Sequence, residues 1–107
     1  MNMSRPETGW WTITEDKLAD IAEGDRPAVG TCGPRECTLT AAEIKAHPAT
    51  LYFQMFDDDG EHYYSGLCIL PQGLTDEAFR PLDDYGTPNA GCTAIKYRNA
   101  SGRMETL

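Results

Sequence analysis

Hydrophobic positions in this chain fall in short runs whose period changes between two and about 3.6 residues, the signatures of strand and helix. Gly9 to Ile13 alternates, with Trp11 and Ile13 on one face and Trp10 on the other, and predicts a strand. The period then lengthens, with Leu18, Ile21 and Ala22 recurring at i, i+3 and i+4. Thr14 is a suitable N-cap for a helix there, Glu15 and Asp16 suit its first turn, and Gly24 suits its end. Asp25 to Cys37, with Pro27, Gly30, Gly33 and Pro34, reads as turns. In Leu39-Thr40-Ala41-Ala42-Glu43-Ile44, Thr40 and Glu43 form a capping-box pattern and Leu39 with Ile44 a hydrophobic staple. That helix is short, because Pro48 drives His47 out of the α region.

Thr50 to Phe56 and Glu61 to Leu70 predict a β-hairpin across Asp57-Asp58-Asp59-Gly60, closed by a two-residue or a four-residue turn. Both turns pair odd with even positions. Leu51, Phe53 and Met55 then share a face with His62, Tyr64, Gly66 and Cys68. Tyr52, Gln54 and Phe56 share the other with Tyr63, Ser65, Leu67 and Ile69. Leu67 and Ile69 predict some cover on this second face as well. Thr75 to Phe79 reads as one capped turn and Pro81 to Asn89 as a loop. Cys92 to Arg98 and Arg103 to Leu107 predict a second hairpin around Asn99-Ala100-Ser101-Gly102, with Ile95 and Tyr97 pointing the same way as Met104. The expected architecture is a single α+β domain over residues 1–107. It has an antiparallel sheet of four to five strands built from two hairpins, with one or two short helices.

Composition narrows the function. The longest uninterrupted apolar run is Leu67-Cys68-Ile69-Leu70, against the roughly 20 residues a membrane span needs. Met1-Asn2-Met3 begins no basic, then apolar, leader. The expectation is a cytoplasmic protein with reduced cysteines. Nine Lys and Arg against seventeen Asp and Glu give a net charge of −8. That excludes simple binding to the nucleic-acid backbone and disfavours anionic membranes. The charge is uneven: Asp57 to Asp84 holds eight acids and only Arg80, whereas Tyr85 to Leu107 holds Glu105 against Lys96, Arg98 and Arg103.

Candidate chemistry is sparse. Cys32 and Cys37 form a C-x4-C turn, but Cys68 and Cys92 supply no second zinc knuckle, so free cysteines are favoured over a zinc or redox site centred on Cys32 and Cys37. No cofactor is expected. The acidic run Asp57-Asp58-Asp59-Gly60-Glu61 lacks the alternate spacing of a calcium loop and reads as a solvated turn. Asp76-Glu77 and Asp83-Asp84 are adjacent surface charges rather than converging carboxylates. A Cys68–His62 dyad on one hairpin face fails, since six residues of strand span about 20 Å. No phosphate loop, nucleophile elbow or H-E-x-x-H motif is present.

Phe56 to Gly66 (FDDDGEHYYSG) and Leu82 to Arg98 (LDDYGTPNAGCTAIKYR) resemble segments of small uncharacterised proteins of actinobacteria and their phages and plasmids. The resemblance lies in the C-terminal half and implies an accessory gene on a mobile element; it transfers no catalytic residue. The expected function is therefore non-enzymatic: a small acidic protein that binds or inhibits a basic host protein. The expected contact residues are Asp57, Asp58, Asp59, Glu61, Tyr63, Asp83, Asp84 and Tyr85. Acidic loops beside aromatics suit both steering and contact.

Overall fold

The computed structural model describes residues 9–17, 29–35, 37–70 and 76–107. Among them, one antiparallel sheet of six strands and two helical segments make an α+β fold. The strands are β1 (Trp10–Asp16), β2 (Cys32–Gly33), β3 (Thr50–Phe56), β4 (His62–Ile69), β5 (Ala94–Arg98) and β6 (Met104–Thr106), in the order β2-β1-β4-β3-β5-β6. The two expected hairpins are present. The sheet exceeds the expected four to five strands because residues of the turn-rich segment pair as β2, Thr12 opposite Cys32 and Trp11 opposite Gly33.

Both hairpin turns belong to one class, which neither expected turn length anticipates. Asp57 N–H donates to the Glu61 carbonyl (3.0 Å) and Asn99 N–H to the Arg103 carbonyl (2.7 Å), so each loop has three residues. Each loop ends in a glycine at positive φ, Gly60 at 82° and Gly102 at 87°, as three-residue hairpin loops require. An Asx side chain braces each. Asp57 Oδ1 accepts the N–H groups of Asp59 and Glu61 (both 2.9 Å), and Asn99 Oδ1 those of Ser101 (2.9 Å) and Arg103 (3.0 Å).

Loop length dictates register. Beyond the first loop Phe56 pairs with His62, then a bulge at Tyr63 restores the odd–even pairing, Met55 with Tyr64 and Phe53 with Gly66. The expected faces hold from Tyr64 onward but exchange at the bulge. Tyr63 packs against the core, while His62 lies on the second face against Phe56, with ring centroids 5.1 Å apart. His62 and Cys68 therefore occupy opposite faces, a stronger objection to the dyad than distance. The second loop carries no such bulge. Arg98 pairs with Met104 and Tyr97 with Glu105, so Met104 shares a face with Lys96 and Arg98, not with Ile95 and Tyr97.

Two helical expectations also change. Thr14, Glu15 and Asp16 continue β1, because a bulge after Ile13 lets Glu15 pair with Ser65 and Asp16 with Tyr64. Lys17 follows as a turn residue whose N–H donates to the Tyr63 carbonyl (2.9 Å), and residues 18–24 of the expected helix lie outside the described residues. The expected loop Pro81 to Asn89 is helical: a 3-10 turn (Asp76–Phe79) leads into a π-turn (Leu82–Gly86) and a short α-helix, Thr87–Ala90. Pro88 lies in the first turn of that last helix, where its missing N–H costs least. Gly91, at φ 69°, ends the run. Burial of Ala78, Leu82 and Gly86 against the sheet overrides the weak local propensity.

The other helix, Ala41–Ala46, follows the sequence closely. The Thr40 hydroxyl accepts the Glu43 N–H (3.2 Å), Glu43 Oε1 accepts the Thr40 N–H (2.8 Å), and extended His47 ends it. This helix packs on β1, β3 and β4. With Ile44, Thr12 and Ile69 all 0% exposed, the sheet is buried on both sides at this end, as expected from Ile69, whereas Leu67 is only half-buried. The main core, on the face under the 76–90 run, gathers Trp11, Ile13, Phe53, Met55, Tyr64, Cys68, Leu82, Ile95 and Tyr97. Among the described residues no helix is long and apolar enough to cross a membrane.

Candidate functional site

The acidic β3–β4 turn divides its carboxylates between two tasks. Asp57 faces inward: besides its two main-chain bonds, Oδ2 accepts the Tyr63 hydroxyl at 2.8 Å. The Glu61 N–H, then the Tyr63 hydroxyl, hold the Asp57 carboxyl below the usual range, and the same contact pushes the Tyr63 phenol up. Asp58, Asp59 and Glu61 are exposed, and their carboxylates make no hydrogen bond or ion pair among the described residues.

The π-turn shows the same division. Asp84 Oδ2 accepts the Trp11 indole N–H at 3.0 Å, while Oδ1 lies 3.8 Å from Arg80, which also pairs with Glu77. Tyr85 contacts two aromatic rings, with its centroid 5.5 Å from Trp11 and 5.2 Å from Tyr64. Burial, then the Asp16 charge, pushes the Tyr85 phenol up, and burial takes Tyr64 to about 12. Asp83 is exposed. Of the expected contact residues, Asp57, Tyr63, Asp84 and Tyr85 thus hold the turn and the core together. Asp58, Asp59, Glu61 and Asp83 remain presented to solvent.

A second group was not selected from the sequence. On the sheet face opposite the main core, the Lys96 ammonium lies 4.8 Å over the Phe56 ring and the Arg98 guanidinium 4.5 Å over Tyr52. Beside them, Gln54 donates to the Tyr52 hydroxyl (3.1 Å), Tyr52 to Ser65 Oγ (3.1 Å) and Ser65 to Glu15 Oε1 (3.0 Å). His62 Nε2 lies 3.0 Å from the Tyr64 carbonyl and 2.8 Å from Ser65 Oγ. The carbonyl can only accept, which assigns the proton to Nε2. His62 therefore donates toward Ser65 rather than acting as its base. Ser65 is also 1% exposed and closed to a substrate. The period-two spacing of Lys96 and Arg98 was the available signal, but it points to this face only once β5 is seen to pair with β3, Gln54 opposite Lys96.

The cysteines are free, Cys32 and Cys37 partly buried and Cys68 and Cys92 fully. The Cys32 thiol faces the Gly30 carbonyl (3.5 Å) and the Cys37 thiol that of Leu39 (3.6 Å). Burial pushes Cys37 up, with Cys32 and Glu43 adding to the rise. Burial takes Cys68 to about 12 and Cys92 to about 11. Raised thiols are protonated at neutral pH, opposite to the activation a redox cysteine needs. No three His, Cys, Asp or Glu side chains converge as metal ligands among the described residues. His47, 5% exposed, accepts the Ala49 N–H at Nδ1 (3.0 Å), and its Nε2 is buried without a hydrogen-bond partner among the described residues. Comparison with protein-family models, curated proteins and solved structures finds no match.

Proposed function

We propose that the chain is a non-enzymatic binding protein that engages a basic surface of another protein through its β3–β4 turn. The observation supporting this is the division of labour within the turn. Asp57 fixes the loop through three accepted hydrogen bonds, two from backbone N–H groups and one from the Tyr63 hydroxyl, so Asp58, Asp59 and Glu61 project from an ordered loop with no partners among the described residues. A pre-ordered loop loses little entropy on binding, and its field steers a cationic partner. Asp83 adds a further exposed charge. As a phage- or plasmid-borne accessory protein, such a chain would act by occupying a basic surface of a host protein.

The test is Asp58→Lys with Asp59→Lys and Glu61→Lys, leaving Asp57 and Tyr63 in place. Affinity capture from host lysate, read by mass spectrometry, should lose the partner while the melting temperature stays near wild type. Undiminished capture by a folded variant would reject the assignment.

A further inference from the structure

We propose that the Lys96–Arg98 face of the sheet docks a second copy of this chain, whose acidic turn supplies the complementary charge. The proposal rests on the reading of that turn as a binding element and names its first partner. Lys96 and Arg98 project on the same side of β5, over two aromatic rings of β3, and neither forms an ion pair among the described residues. The face is broad: half-buried Tyr52, Gln54, Phe56 and His62 lie in it, and the helix Ala41–Ala46 covers the opposite end, over Thr12 and Ile69. An arginine or lysine stacked on an aromatic ring keeps its charge available to an incoming carboxylate while its stem is already ordered.

The complement is present on the same chain. Asp58, Asp59 and Glu61 are exposed and lack partners among the described residues; Lys96, over Phe56, the residue preceding the turn, stands beside these carboxylates, and Arg98, over Tyr52, continues the positive face farther along the sheet. Adjacent opposite charges are what a two-fold axis needs. With two sheet faces packed together, each turn meets the other copy's Lys96 and Arg98, and the contact closes as a dimer rather than growing into a filament. Each chain carries −8. At physiological ionic strength that repulsion is screened beyond about 8 Å, whereas pairs in contact are screened much less.

The experiment uses two full-length variants in sedimentation analysis. Lys96→Glu with Arg98→Glu makes turn and face both negative, and Asp58→Lys with Asp59→Lys and Glu61→Lys makes both positive. Wild type should pass from monomer to dimer as concentration rises. Each variant alone should remain monomeric, and an equimolar mixture should recover the dimer. A mixture that stays monomeric, or a wild type monomeric at every concentration, overturns the proposal; the face would then be left to an acidic segment of a foreign protein. Partner capture by the Lys96→Glu, Arg98→Glu chain separates the two readings, because its acidic turn is intact.

Discussion

Gly66 is the position where one methyl group would test the packing of the sheet most severely. It lies in β4, between Ile13 of β1 and Phe53 of β3. A Cβ there would collide with the Thr12 carbonyl oxygen and stand 2.5 Å from Phe53 Cζ and 2.9 Å from Cε2. Neither obstacle yields easily. The Thr12 oxygen belongs to the backbone of a paired strand, and Phe53 is 0% exposed, with its ring 5.9 Å from Tyr97. Forcing a methyl group into a filled core costs about 1–3 kcal/mol, and a backbone obstacle puts Gly66→Ala at the upper end. The lost freedom of the unfolded chain returns about 0.4–1 kcal/mol. The net loss is about 2 kcal/mol from a total of roughly 5–15 kcal/mol for a domain of this size. That corresponds to a fall in melting temperature of roughly 10 °C. Urea titration should show a lower midpoint at unchanged slope. Adding Phe53→Leu should recover part of the loss if the ring is the main obstacle, and none of it if the Thr12 carbonyl is. A Gly66→Ala chain within about 0.5 kcal/mol of wild type would refute the account of why β4 carries glycine there.

Two further predictions address hydrogen-bonded side chains of the sheet. The Tyr97 hydroxyl donates to the Ala78 carbonyl at 2.8 Å and ties the 76–90 run to β5; Tyr97→Phe should cost about 0.5–1.5 kcal/mol through the lost hydrogen bond, measured by urea titration, and a neutral result would remove this tie from the fold. Burial, then the charge of Lys17, lowers His62 below its ordinary 6.5 against the opposing effects of the Tyr64 carbonyl and Glu15. Below pH 6.5 the unfolded chain therefore binds more protons than the folded one, so stability is full above 6.5 and declines as pH falls toward the folded value. His62→Gln should flatten the wild-type slope between pH 7.5 and 5.5, and an unchanged slope would assign it to other groups.

The fold was legible where one local rule acted alone. Thr40 and Glu43 sit within one turn of each other, and nothing distant competes with their reciprocal bonds. The alternation in Thr50 to Phe56 likewise specifies a strand without reference to a partner. What the pattern could not reveal depends on distant contacts. Thr14 to Asp16 suits a helix N-terminus, but pairing with Tyr64 and Ser65 outweighs that preference. Pro81 and Pro88 punctuate a loop until Trp11, Met55 and Cys92 give the segment something to pack against. At the candidate site, acidity marked the right turn but not the orientation of its carboxylates. Asp57 and Asp58 differ only in position along the loop, and Asx geometry turns one inward and leaves the other in water. The cation–aromatic face stayed hidden because its two halves, Tyr52 with Phe56 and Lys96 with Arg98, lie far apart in the chain.

The shared architecture of the two hairpin loops makes them interchangeable parts. Asp57-Asp58-Asp59-Gly60-Glu61 and Asn99-Ala100-Ser101-Gly102-Arg103 follow the same backbone path, braced by the same side-chain oxygen two and four residues back. One carries four carboxylates and the other a single guanidinium. Transplanting the second loop into the position of the first would erase the acidic display while leaving strand length and loop geometry as they are. The chain in effect supplies a carboxylate-free template for its own acidic turn, and electrostatics at this site can be rewritten without redesigning the scaffold.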